Sequence, residues 1–153
     1  MNKDKFEIFK AYCVNHSGHV CPDTDLIKRD DHYKLVRGLS QNHRLLGYSK
    51  KPELTYENVD FFGDEGRVCI DLVALSRLEG IILADIFTGQ DRGEVNFKLK
   101  QAYETVVNCF QLSPRLLKVR LKGKGYEGIS VEPPMSHLLR LAKPARTSLE
   151  DNN

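Results

Sequence analysis

The fold of this chain is decided by the stretch Asp91–Leu112, which reads DRGEVNFKLKQAYETVVNCFQL. Asp91 followed three residues later by Glu94 is typical of a helix start, where a side chain caps the first turn. Apolar residues then recur at helical spacing, at Val95, Leu99, Ala102, Val106 and Cys109/Phe110. Glu94, Lys98 and Gln101 fall on the other side, and Ser113-Pro114 ends the run. The pattern predicts an amphipathic helix over 91–112 that buries one face against a sheet.

The segment before this helix is rich in β-branched residues and predicts the sheet itself. Val59–Phe62, Arg67–Leu75 and Gly80–Thr88 are the predicted strands, separated by turns at 63–66 and 76–79. The apolar residues between 74 and 86 also fit a helical stripe, so a hairpin and a helix are both open for 68–88. The β-branched residues and Gly80 favour the hairpin, because both are less compatible with a helix.

The flanking segments complete an α+β fold. Residues 3–15 predict a first helix with Phe6, Phe9 (or Ile8) and Cys13 on one side, and a second helix runs from Asp30 or Asp31 to about Leu46. The predicted architecture is two N-terminal helices, a central antiparallel sheet, one long amphipathic helix (91–112) packed on it, and a C-terminal basic hairpin. Residues 1–144 are expected to form a single compact domain, with a short helix over 136–143 and a flexible polar tail over 145–153.

Composition restricts the broad class of protein. The 153 residues are 41% hydrophobic, which is enough to build a core, and no apolar run is long enough to cross a bilayer. The first residues are charged rather than signal-like, and the four cysteines are scattered rather than set in a disulfide framework. A cytoplasmic protein without membrane contact is therefore expected.

Charge is distributed unevenly along the chain, although the net charge is only +2. Residues 51–100 carry ten acidic residues against six basic ones, whereas residues 113–146 carry eight basic residues against two acidic ones. This asymmetry points either to a partner of opposite charge or to a solvated surface that keeps a small protein soluble.

The clearest functional pattern lies in the basic hairpin 116–132. In the strand 117–122 lysine and arginine alternate with apolar residues, so the two kinds of side chain point to opposite faces. A three-residue loop, 123–125, would pair Lys122 with Tyr126 and Val119 with Ile129, which matches the apolar sides. A two-residue loop would instead place Ile129 among the lysines.

With the three-residue loop, Tyr126 joins the basic side chains on an open face. A ring beside positive charges suits a sugar–phosphate backbone with a base stacked on the ring, although lysine and arginine also serve to stop sheet edges from pairing. The candidate nucleic-acid-binding residues are Lys118, Arg120, Lys122, Lys124, Tyr126 and Arg115.

Two further groups of residues have side chains suited to chemistry. Cys13, His16, His19 and Cys21 are residue types that bind zinc, but their spacing does not match a known finger or knuckle, so no metal and no cofactor are expected. Asp71 and Asp85 would face each other across a hairpin centred on Leu78, and such a pair would raise one pKa or require a cation. Two solvated carboxylates are the simpler interpretation of the same pattern. No catalytic set is evident.

The sequence therefore favours a small non-enzymatic regulatory protein that contacts nucleic acid, DNA or RNA, through the basic β-hairpin. The alternative is a protein-binding adaptor or inhibitor that acts through the sheet or the acidic central segment. The oligomeric state is left open by the sequence.

Overall fold

The computed structural model describes residues 4–18, 34–63, 66–87, 93–122 and 125–133. Within these ranges the helices are α1 (Lys5–His16), α2 (34–40) and α3 (Glu94–Phe110). The strands are β1 (Leu54–Gly63), β2 (Gly66–Ser76), β3 (Gly80–Phe87), β4 (Arg115–Lys122) and β5 (Gly125–Val131). The predicted α+β class is confirmed. The expected final helix over 136–143 and the tail 145–153 lie outside the described residues, and the proposed single domain stays a prediction.

The five strands form one sheet in the order β1-β2-β3-β4-β5. Strands β1, β2 and β3 pair antiparallel, as predicted for the central sheet. The hairpin β4–β5 extends this sheet through a parallel pairing of β3 with β4, which the sequence did not predict. The reason is the connection between them: α3 carries the chain back along the sheet, and β4 then starts at the same end as β3. Because β2 and β3 pair as a hairpin, the helical alternative for 68–88 is excluded.

Helix α3 packs on the sheet through the face that the sequence predicted. Val95, Leu99, Ala102 and Val106 are buried, whereas Cys109 is exposed. The predicted boundaries are too wide. Gly93, in the left-handed conformation, takes the N-cap position without a side-chain cap, and Gln111 ends the helix in the same conformation. The helix thus stops before Ser113-Pro114 is reached.

Helices α1 and α3 cover one face of the sheet. The side chain of Asp4 caps α1 by accepting a hydrogen bond from the Phe6 amide at 2.9 Å. The same carboxylate and that of Glu7 pair with Arg77 in the β2–β3 turn, whose guanidinium also lies over the Phe6 ring. This ties the start of α1 to the sheet. The first core cluster lies beneath these helices and includes Phe9, Val59, Phe61, Ile70, Leu83, Leu99 and Val106.

Helix α2 and the turns after it cover the opposite face. The described helix ends at Ser40 and residues 41–47 form turns, so the helix predicted to continue to Leu46 is too long. Ser40 donates its hydroxyl hydrogen bond to the Arg37 carbonyl, and the Asn42 side chain accepts one from the Leu45 amide. These local bonds compete with helix continuation. The second core cluster lies here and includes Val36, Leu39, Leu46, Tyr48, Leu72, Ala84, Leu117 and Val119.

Candidate functional site

The hairpin β4–β5 has a different register from the predicted one. Lys122 pairs with Gly125 and Leu121 with Tyr126, so two residues and not three separate the paired strands. Lys118 lies opposite Ile129 as a result. The two registers differ in which side chain, that of Tyr126 or that of Ile129, packs against the core. In the register that the structure adopts, it is Tyr126.

Tyr126 therefore faces the second core cluster and not the lysines. Its hydroxyl donates a hydrogen bond to the Leu35 carbonyl at 2.7 Å, and its ring packs against that cluster. Gly38 permits this approach, because a Cβ there would lie 2.5 Å from the Tyr126 hydroxyl. The prediction that the Tyr126 ring is open for stacking on a base is wrong. A hydroxyl taken partly out of water favours a hydrogen-bond partner, and the Leu35 carbonyl supplies one.

The six candidate residues are divided between the two faces of the sheet. Arg115 lies on the α2 side with Tyr126, and its guanidinium lies 5.2 Å from the centre of the Tyr48 ring. Lys118 and Arg120 point to the α3 side, because they alternate with the buried Leu117 and Val119. The side chains of Lys122 and Lys124 lie outside the described residues.

The exposed Arg120 already has a partner on its own hairpin. Its Nε donates to Glu127 Oε1 at 2.6 Å, and both side chains are partly open to solvent. A surface ion pair of this kind contributes about 0–1 kcal/mol, so exchange of the carboxylate for a phosphate costs little. The basic side chains of the hairpin thus form a smaller patch than the sequence indicates.

Asp71 and Asp85 face each other across β2 and β3, as a hairpin centred on Leu78 requires. The backbone pairing of β2 with β3 ends at Leu72 and Ala84. At the next pair of residues, Asp71 and Asp85, the side-chain carboxylates accept the hydrogen bonds from backbone amides. The Asp71 amide donates to Asp85 Oδ1 at 3.0 Å, and the Ile86 amide donates to Asp71 Oδ2 at 2.7 Å. The alternative of two solvated carboxylates is wrong, since the residues are 1% and 0% exposed.

A local irregularity of the sheet places Asp71 in this position. Asn58 and Asp71 are omitted from the otherwise regular pairing of β1 with β2, and Asn58 has a positive φ of 54°. On each side of this point the residues that face the first core cluster are three apart, Tyr56 and Val59 on one strand and Ile70 and Val73 on the other. Each strand thus accommodates one extra residue, and the register of β1 against β2 is the same on both sides of this point.

Lys98 of α3 completes the arrangement. Its Nζ lies 2.9 Å from Asp85 Oδ2, which is otherwise buried without a hydrogen-bond donor, and its side chain is 31% exposed. The prediction that Lys98 points away from the sheet is wrong. Its position three residues after Val95 and four before Ala102 places it at the edge of the apolar face, and this spacing is the signal in the sequence for its contact with the sheet. Asp71, Asp85 and Lys98 are hereafter the carboxylate cluster.

The cluster lies beside the basic residues of β4. The parallel pairing of β3 with β4 places Lys118 next to Asp85 and Arg120 next to Phe87. Because registered neighbours point to the same face, both basic side chains share the α3 side with Lys98. Lys98, Lys118 and Arg120 are hereafter the basic face. It lies towards the carboxyl ends of the two parallel strands, the edge where open sheets most often bind ligands.

Burial dominates the electrostatics of the cluster. It raises the pKa of Asp85 well above the usual value, and the negative charge of Asp71 raises it further. The Lys98 ammonium acts in the opposite direction, but it is too weak to reverse the shift. Two carboxylates buried side by side repel each other, so the cluster is expected to hold a proton or to attract a cation.

Most of the described acidic residues of the central segment contact other groups of the chain. Asp60, Asp71 and Asp85 are buried. Glu57 pairs with Arg37, while Glu53 and Glu79 accept hydrogen bonds from backbone amides. Six of the ten acidic residues of 51–100 are thus engaged within the chain, while Asp64, Glu65 and Asp91 lie outside the described residues.

The cysteine–histidine constellation is only partly described. Cys13 is buried in the first core cluster, and this burial raises the pKa of its thiol. The His16 ring stacks on Tyr12, with Nδ1 2.9 Å from the Tyr12 carbonyl. His19 and Cys21 lie outside the described residues. No three histidine, cysteine or acidic side chains come together as a metal-binding set in the described ranges.

Comparison with known proteins adds little. No family model and no curated protein matches the chain. A solved structure entitled "Crystal structure of SSO0001" matches all of this chain and 89% of its own, with 13% identity and a TM-score of 0.31. A likeness this weak carries no argument about fold or function. None of the described helices is long and apolar enough to span a membrane.

Proposed function

We propose that this protein contacts the phosphate backbone of nucleic acid through its basic face. The observation that carries the proposal is the gathering of Lys98, Lys118 and Arg120, from α3 and β4, on one side of the sheet. Cations fixed on separate elements suit a phosphate chain, whose charges are regularly spaced along its length. The Arg120–Glu127 ion pair is exposed, so Arg120 can exchange its carboxylate for a phosphate at low cost.

The structure changes the kind of contact that is expected. With Tyr126 packed against α2, the face offers charge without an aromatic platform. Phosphate contacts position a protein on nucleic acid but do not read its sequence. Binding is therefore expected to depend strongly on salt, to be nearly independent of base sequence, and to show no special preference for unstacked bases.

The test is a titration of fluorescent single-stranded and duplex oligonucleotides at several salt concentrations. The double variant Lys118→Gln/Arg120→Gln should bind more weakly at low salt. Its plot of log affinity against log salt should be shallower by about 0.9 per lost contact for duplex and about 0.7 for single strands. The matched control, Lys34→Gln/Arg44→Gln, removes two exposed basic residues from the α2 side and should leave the slope unchanged.

Two results of this titration would contradict the proposal. If the wild-type protein binds neither oligonucleotide at low salt, the proposal is wrong and a protein partner takes its place. If both double variants reduce the slope equally, binding is diffuse and the basic face is not its site. A protein interface built on apolar contacts would be recognised by its weak dependence on salt.

A further inference from the structure

We propose that the carboxylate cluster binds a divalent cation and that, with this cation, the protein hydrolyses a phosphodiester bond of nucleic acid held on the basic face. The hydrolysis rests on the proposed function, because the basic face has to bring the phosphate to the cluster. The cation site itself does not rest on it and is tested without nucleic acid.

The orientation of the two carboxylates is the first argument. Asp85 Oδ1 and Asp71 Oδ2 each accept a backbone amide, so both groups are held rigidly across the hairpin. Asp85 Oδ2 is fully buried, and apart from the Lys98 ammonium at 2.9 Å it has no hydrogen-bond donor among the described residues. A hard divalent cation such as Mg²⁺ or Mn²⁺ takes oxygen ligands, typically one or two carboxylates together with water and substrate phosphate.

The position of Lys98 is the second argument. Lys98 belongs to α3, and its ammonium lies 2.9 Å from Asp85 Oδ2. Of the three residues of the carboxylate cluster it alone reaches the surface, since Asp71 and Asp85 are 1% and 0% exposed. A lysine stem is flexible, so the ammonium can move aside to admit a cation and then lie beside the phosphate that follows it.

The chemistry of the proposed step needs only water and the cation. A water molecule bound to the cation attacks the phosphorus, forming a new P–O bond while one bridging P–O bond breaks. Its proton passes to a carboxylate of the cluster and then to solvent, and the leaving oxygen takes a proton from a second water molecule. The products are one strand with a terminal phosphate and one with a terminal hydroxyl. The cation and Lys98 stabilise the negative charge that develops on the phosphate oxygens.

Cation binding is measured first, on the protein alone. Mn²⁺ titrated into wild-type protein and followed by electron paramagnetic resonance should show about one bound ion per chain. The same cation should raise the melting temperature. Asp85→Asn should lose both effects, whereas Asp60→Asn, which neutralises a buried carboxylate of β1 outside the cluster, should keep them. No bound Mn²⁺ in the wild type, or equal binding by both variants, would overturn the proposal.

Hydrolysis is measured next, with labelled single-stranded and duplex DNA and RNA, in Mg²⁺ or Mn²⁺ and in chelator. Cleavage should require the cation, and Lys98→Gln should slow it about 100-fold or more, as expected when one charge-stabilising group is removed. The control Lys100→Gln, two residues along the same helix and exposed, should cleave like wild type.

The outcomes separate the two proposals. Mn²⁺ binding without cleavage of an oligonucleotide that the protein binds contradicts the hydrolysis. Mn²⁺ binding without any oligonucleotide binding contradicts the proposed function and, with it, the hydrolysis. Cleavage that persists in Asp85→Asn shows a contaminating nuclease and also counts against the proposal.

Discussion

Replacing Asp85 by asparagine should change how the stability of this protein depends on pH. Asparagine keeps the shape of the side chain and the oxygen that accepts the Asp71 amide, but it cannot bind or release a proton. The groups that surround it come from three elements: Asp71 on β2, Lys98 on α3 and Lys118 on β4. In chelator, where no divalent cation is bound, the pKa of Asp85 is raised mainly by burial.

Because the pKa of Asp85 is raised in the folded protein, the stability that this group contributes to the wild type should fall as pH rises. Between the ordinary pKa of 3.8 and the raised pKa of the folded state, the folded protein holds a proton that the unfolded chain has released. The stability provided by the protonated acid is fully present below about pH 4 and is lost as pH rises through the folded pKa. One proton of difference corresponds to about 1.4 kcal/mol per pH unit. Because the asparagine variant lacks this loss, its unfolding free energy should rise relative to that of the wild type by about 1.4 kcal/mol per pH unit.

The assay is urea unfolding of both proteins, followed by circular dichroism at half-unit steps between about pH 4 and pH 8. Titrating groups distant from Asp85 behave alike in the two proteins, so the difference in unfolding free energy reports Asp85 together with the neighbouring Asp71. It should increase with pH and then level off once the folded pKa is passed. A difference that stays constant across the range would refute the reasoning, because Asp85 would then titrate at its ordinary pKa.

The remaining predictions concern the core and the contact between α2 and the hairpin. Val106→Asp places a charge in the first core cluster and should cost about 4 kcal/mol or more, so a variant that melts within a few degrees of wild type would contradict the packing of α3. Tyr126→Phe should cost about 1 kcal/mol in urea unfolding, through the lost hydrogen bond to Leu35, and leave oligonucleotide affinity unchanged. Gly38→Ala should destabilise the wild type, since the new Cβ meets the Tyr126 hydroxyl. In the Tyr126→Phe background the same change should stabilise by up to about 1 kcal/mol, because alanine has the higher helix propensity. Equal effects in both backgrounds would contradict the contact.

Local patterns in the sequence were sufficient for the elements that have strong periodicity. The apolar spacing of α3 identified its buried face, and the β-branched residues of 68–82 identified the central hairpin. The sequence also predicted that Asp71 and Asp85 face each other, because the turn centred on Leu78 defines the register of β2 against β3. Each of these features depends on residues close together in the chain.

Features that depend on distant partners were missed or wrong. The register of β4–β5 turned on whether Tyr126 or Ile129 is covered, and Leu35 and Gly38, about ninety residues away, decide it. The parallel pairing of β3 with β4 required the path of α3 over the sheet. The role of Lys98 required the burial of Asp85, since an exposed lysine at the edge of an apolar stripe carries no signal of its own.

The most direct test of the account is the effect of a divalent cation on oligonucleotide affinity, because it joins the basic face to the carboxylate cluster. Affinity is measured by fluorescence anisotropy in Ca²⁺ and in chelator at constant ionic strength, for wild type and Asp85→Asn, with the oligonucleotide checked for integrity. If the cation and the phosphate share one site, Ca²⁺ should tighten binding to wild type about tenfold, within the range typical of coupled sites, and leave the variant unaffected. The same response in both proteins, or none in the wild type, would contradict the account.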